Sequence, residues 1–220
     1  MSIFRKSALA ALAFFSTTGQ ANATIIYDFG APMAGSLLET FEGLPLSTNS
    51  GTWALPAVNG QMTFNNSHIM QGTTGTYAMP YLDNTQYASV NSNGNSGSNI
   101  TFSFNQSYNY FGILWGSVDT YNTLTFLDGN TVVGTIIGQT IISAANLSGG
   151  NQAGSGTVYA NFNSSLLFNK IIASSTGIAF EFDNIRLAAV PLPAALPMFL
   201  AGIMGLGAMG RRRKQQTATA

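Results

Sequence analysis

The chain has 220 residues, eight Lys+Arg, eight Asp+Glu, one histidine and no cysteine, for a formal net charge of zero. The lack of cysteine excludes disulfides, thiol nucleophiles, thioether-linked haem and Cys-ligated iron–sulfur clusters, and one histidine serves zinc poorly. The neutral total hides a split: between the two ends lie all eight acidic residues but only Lys170 and Arg186, a net charge of −6, which excludes a phosphate-backbone partner and so argues for no nucleic acid.

In chain order, residues 1–23 read as a secretory signal peptide. Arg5 and Lys6 form its positive start, residues 8–15 its apolar core, and Ala21-Asn22-Ala23 the small-residue site for signal peptidase after Sec-dependent export. Residues 24–189 have the length of one domain. Strands are expected at 24–29, 61–64, 87–90, 100–104, 110–115, 156–162, 170–174 and 178–182. Ile100, Phe102 and Phe104 alternate with Thr101 and Ser103, the period of a half-buried strand. Residues 124–127 and 131–137 flank Asp128-Gly129-Asn130 and read as a hairpin. Residues 47–56 and 91–99 read as loops, and no long 3.6-residue period appears. Many short strands between turn signals imply an all-β fold, a two-layer β-sandwich.

The C-terminal segment begins with Val190, Pro191, Leu192, Pro193 and Ala194. An apolar run, 194–210, follows, and as a helix it would be about 25 Å long against a bilayer core of about 30 Å. Pro197 lies near its start, where a missing amide donor costs little. Arg211, Arg212, Arg213 and Lys214 form a basic stop-transfer block that stays cytoplasmic, before a short tail at 215–220. This arrangement predicts a transmembrane helix and an inner-membrane-anchored precursor with a periplasmic body, released later to the cell surface or extracellular space.

The stretch VPLPAALPMFLAGIMGLGAMGRRRK, residues 190–214, resembles the PEP-CTERM sorting signal in its VPLPA variant. Leu192 stands where the commoner pattern has Glu. The resemblance implies sorting by an exosortase in a Gram-negative bacterium that makes extracellular polysaccharide. The run Phe111-Gly112 to Leu124, of the form F-G-x-x-W-G-S-x-D-x-Y-N-x-L, resembles the bodies of such exosortase-dependent proteins, as do Phe41-Glu42-Gly43 and Phe182-Asp183-Asn184-Ile185. It implies a jelly-roll or lectin-like sandwich.

Two constellations are candidates for chemistry. Glu42 and Asp183, with Asn184, are candidate Ca²⁺ ligands, since carboxylates from the first and last strands of jelly-roll modules, with carbonyls, can hold that ion; the alternative is two ordinary edge carboxylates. Trp115, Asp119, Tyr121 and Asn122 are candidate sugar contacts, aromatic rings to stack and polar groups to orient hydroxyls; the alternative is that Trp115 is core and Asp119 a turn residue. Trp53 is a candidate loop aromatic for the same ligand. His68 reads as a polar structural residue. No G-x-S-x-G, H-E-x-x-H or P-loop occurs, so no catalytic residue is assigned and the chain is not expected to be an enzyme. The expected function is a structural or adhesive extracellular-matrix component. The alternatives are a carbohydrate-binding module for exopolysaccharide and a glycan-active hydrolase.

Overall fold

The computed structural model describes residues 23–47, 49–95 and 97–189. Among them are eleven strands: β1 Ile25–Phe29, β2 Leu37–Glu39, β3 Ser50–Leu55, β4 Gly60–Asn65, β5 Ser67–Met70, β6 Tyr87–Val90, β7 Asn99–Gly116, β8 Asn122–Asp128, β9 Thr131–Ile137, β10 Val158–Ser175 and β11 Phe180–Ala188. One short helix, α1 (Gly138–Ala145), follows β9. A Cβ at Gly138 would lie 1.8 Å from the Asp119 carbonyl oxygen, so only glycine permits this close approach.

Period two decides the first half of β7. Ile100, Phe102 and Phe104 are buried while Thr101 and Ser103 remain half-exposed. The second half, Asn109 to Phe111 and onward to Trp115, is covered on both faces and loses the alternation. The expected hairpin forms as β8 and β9, with Gly129 at φ 59° in a two-residue turn. Two pairs of expected strands are in fact single strands of 18 residues. Residues 105–109, between the first two of these expected strands, belong to β7. Likewise 156–162 and 170–174 belong to one strand, β10, in which register shifts against β7 between Asn163 and Lys170 absorb the polar stretch. The expected loop at 47–56 contains β3, which pairs with β4 along its whole length.

The sandwich expectation is corrected. All eleven strands belong to one hydrogen-bonded sheet, ordered β5-β6-β11-β7-β10-β8-β9, with β4 joining β7, β3 joining β4, β1 joining β10 and β2 joining β11. β7 holds β4 along its first half and β11 along its second, with β10 on its other edge throughout. The two long strands therefore pass through both lobes, so two independent sheets of a jelly roll are not formed, and the sheet is not closed into a barrel. Aromatic contacts join the lobes: Phe102 lies 6.0 Å from Phe182 and 6.4 Å from Phe41, and Phe126 lies 5.8 Å from Phe111 and 5.1 Å from Phe168 (ring centroids).

The membrane expectation is also corrected. Eight residues of α-helix reach about 12 Å, and among the described residues no helix is long and apolar enough to cross a membrane. The described fold thus supplies no anchor for the inner-membrane precursor that was expected. The signal segment 1–22, the motif 190–194, the apolar run 194–210 and the basic block 211–214 lie outside the described residues.

Phe102→Ala removes a fully buried ring that contacts Phe41, Phe104 and Phe182. It is expected to destabilise the fold by about 3–5 kcal/mol. A urea titration should show a lower midpoint with an unchanged slope; an unaltered midpoint would refute this core assignment.

Candidate functional site

Four chain segments meet at one end of the sheet. The β7–β8 connection supplies Ser117, Asp119 and Tyr121, and the start of β11 supplies Glu181. The segment before β10 supplies Gln152, and the long connection 71–86 between β5 and β6 supplies Tyr77. They enclose a cleft of about 130 Å³. Local geometry explains the convergence. Ser117 turns the chain with φ 44° directly after β7. The Val118 N–H then bonds the Gly156 carbonyl at 2.9 Å and the Gly150 N–H bonds the Val118 carbonyl at 2.9 Å, tying the segment before β10 to this turn. Glycine is needed at position 150 because a Cβ there would lie 2.8 Å from Asp119 Oδ1. The connection 71–86 crosses β7 at Gly116, where a Cβ would meet Pro80 Cα at 2.8 Å.

The polar groups are unevenly satisfied. Tyr121 donates its hydroxyl to Asp119 Oδ2 at 2.8 Å and contacts the Ile178 carbonyl. Its ring lies against Gly177, where a Cβ would be 2.8 Å from three ring atoms. Burial raises the Asp119 carboxyl above the usual carboxylate range, and the Tyr121 hydrogen bond opposes that rise. Glu181 is 2% exposed. Its Oε1 accepts the Ala78 N–H at 3.0 Å, while Oε2 has no partner. Burial pushes Glu181 up to about 7; backbone N–H donors counter this and the Asp119 charge adds to it. Ser117 Oγ is likewise buried without a partner.

The structure divides the expected ligand cluster. Asp119 and Tyr121 line the cleft. Trp115 is fully buried, stacked on Phe180 at 4.6 Å, and presents no face to a ligand. Asn122 is fully buried, and its Oδ1 accepts the Ser175 hydroxyl at 3.0 Å. Trp53 lies on the outer strand β3, edge-on to Phe64 at 5.0 Å, away from the cleft lining. Glu181, Tyr77 and Gln152 escaped sequence reasoning. Alternation in Phe180-Glu181-Phe182-Asp183 does place both carboxylates on one face of the strand, and that was a usable signal.

The expected Ca²⁺ set is also rearranged. Glu42 is exposed, and its Oε1 accepts the Gln86 N–H at 2.8 Å. Asp183 is fully buried. Asn184, at φ 51°, donates Nδ2 to Asp183 Oδ2 at 3.1 Å, so it is assigned as a donor to the carboxylate and not as an oxygen ligand. Among the described residues no group of three or more His, Cys, Asp or Glu is placed to hold a metal. His68 is buried, with Nδ1 2.7 Å from Ser92 Oγ, and burial lowers its pKa.

No family model, curated protein or solved structure matches the chain. The resemblance of residues 190–214 to the VPLPA-type sorting signal therefore gains no support from a family match.

An unfolded glutamate titrates near 4.5 and folded Glu181 near 7, so between these values the folded protein keeps a proton that the unfolded chain has lost. The stability linked to Glu181 is therefore full below about pH 4.5 and falls, by up to roughly 3 kcal/mol, as pH rises through about 7. Glu181→Gln is expected to flatten this decline. Urea midpoints of both proteins at about pH 5 and about pH 8 check it; parallel pH profiles would count against it.

Proposed function

We propose that the chain is a binding module whose cleft holds one uncharged, hydroxyl-rich group, such as a single sugar unit of a polysaccharide. The observation that carries this reading is the pair of buried, unpartnered polar atoms in the cleft lining, Glu181 Oε2 and Ser117 Oγ. A buried acceptor without a donor costs about 1–3 kcal/mol, and a ligand hydroxyl is the group that would satisfy it.

Size and charge narrow the class. Drug-sized ligands need roughly 300–1,000 Å³, so a cleft of about 130 Å³ suits one small unit. Neither Lys170 nor Arg186 lines it, while Asp119 and Glu181 do, which disfavours an anion. Tyr77 and Tyr121 supply rings with polar edges, and Gln152 supplies an amide. A polysaccharide-binding body also accords with an adhesive role in a matrix, the expectation placed first on sequence grounds.

The full chain is to be screened against a glycan array, and affinities of hits measured for three variants. Asp119→Asn and Tyr121→Phe are each expected to weaken binding about tenfold, a loss of about 1.4 kcal/mol each. Trp53→Ala is expected to leave binding unchanged. An array without hits, or affinity that responds to Trp53→Ala and not to Asp119→Asn, would overturn the proposal.

A further inference from the structure

A second polar cluster lies on the same strand, two residues beyond Glu181 and outside the cleft lining. Connection 71–86 ends in Asp83-Asn84-Thr85-Gln86, and β11 carries Asp183. Thr85 joins them. Its N–H donates to Asp83 Oδ1 at 3.0 Å, its hydroxyl contacts the same oxygen, and that hydroxyl also lies 3.2 Å from Asp183 Oδ2. Asp83 is 6% exposed and Asp183 is 0% exposed. Two carboxylates are thus buried against one hydroxyl.

Their other oxygens are the informative ones. Asp83 Oδ2 and Asp183 Oδ1 are both buried without a hydrogen-bond partner. No protein cation compensates them. Lys170 Nζ bonds Asn130 at 3.2 Å and Arg186 Nη1 bonds the Ser36 carbonyl at 3.4 Å, and the described residues contain no other Lys or Arg. Burying a carboxylate without a counter-charge is expensive, and burying two side by side more so. One shared proton would join a single pair of oxygens, and a cation that binds through oxygen alone can satisfy both carboxylates; calcium titration separates the two.

We propose that Asp83 and Asp183 form a two-carboxylate site for a divalent oxygen-preferring cation, Ca²⁺, with Thr85 Oγ1 as a neutral oxygen beside them. Ca²⁺ accepts six to eight oxygen ligands in flexible geometry, and water completes such a sphere; Mg²⁺ demands a near-ideal octahedron. The absence of cysteine and the burial of His68 elsewhere disfavour softer metals. The site differs from the Glu42–Asp183–Asn184 set expected from sequence. Glu42 is exposed and accepts the Gln86 N–H, and Asn184 donates its amide to Asp183 Oδ2. The ion's effect follows from its position. It would fasten the end of connection 71–86 to β11, and this connection carries Tyr77. The site's existence does not depend on what the cleft binds.

The full chain, stripped with a chelator, is titrated with Ca²⁺ by calorimetry while Tm is followed. One site per chain is expected, with Tm rising by about 5 °C or more at about 5 mM Ca²⁺, a concentration above the Kd of even weak Ca²⁺ modules. Mg²⁺ should produce a smaller rise. Asp83→Asn should weaken Ca²⁺ at least tenfold, while Asp128→Asn, a surface carboxylate in a turn, should leave it unchanged. Asp183→Asn provides the second variant if Asp83→Asn folds poorly. Unchanged Tm and absent heat in the wild type, the outcome for a shared proton, would overturn the site. So would Ca²⁺ binding that survives both Asp83→Asn and Asp183→Asn.

Discussion

The antiparallel pairing of β7 with β10 is the constraint on which the rest of the structure depends. The two strands face each other from Asn99 opposite Ser174 to Trp115 opposite Val158. Each then lends its outer edge to two further strands, β4 and β11 on β7, β1 and β8 on β10. Every remaining strand attaches through one of those four or through β6. The pairing joins residues more than forty positions apart, so it pays a loop-closure cost before any local contact rewards it. What compensates is aromatic burial that bridges the two halves of the pair, Phe102 against Phe41 and Phe182, and Phe111 and Phe162 against Phe126. The register shift between Asn163 and Lys170 is where the ladder is interrupted, and it separates the two lobes along both strands.

The same pairing explains why carboxylates are buried at all. β11 lies along the second half of β7, and connection 71–86 covers the face that carries Glu181 and Asp183. Once that cover is in place, Glu181 and Asp183 leave water together. Each meets one piece of the connection, the Ala78 N–H for Glu181 and Thr85 for Asp183. Neither is fully satisfied by the protein. A fold that places two incompletely paired carboxylates under one connection sacrifices stability there, and such local conflicts mark functional positions more often than core ones.

Charge separates the two positions. In the cleft, Asp119 and Glu181 stand among phenols, an amide and a hydroxyl, a setting that suits neutral donors. Asp183 accepts from Thr85 and Asn184 through one oxygen and leaves the other unpartnered beside a second buried carboxylate, Asp83, a setting that suits a cation. One strand thus offers two different polar settings because alternate residues on one face meet different parts of a single connection. Tyr77 and Asp83 belong to that connection, so order at one position bears on order at the other.

What the chain declared by itself was local. Alternation at 100–104, the Asp128-Gly129 turn with its flanking strands, the acidic central segment and the missing cysteine all follow from residue type and short spacing. Asp119 with Tyr121 was legible too, because two residues suffice to join a phenol to a carboxylate. The rest required the folded sheet. Asn105-Gln106-Ser107 resembles a turn, and β7 continues through it because ladders with β10 form on either side, at 99–103 and 108–115. Trp115 has the chemistry of a sugar platform, and only the docking of β11 and Phe180 makes it core. Glu181 depends on an N–H 103 residues away, and Asp183 on a hydroxyl 98 residues away. Periodicity and turn chemistry act over a few residues and can be read along a chain. Burial of a charge is decided by what covers it, and the cover arrives from distant sequence.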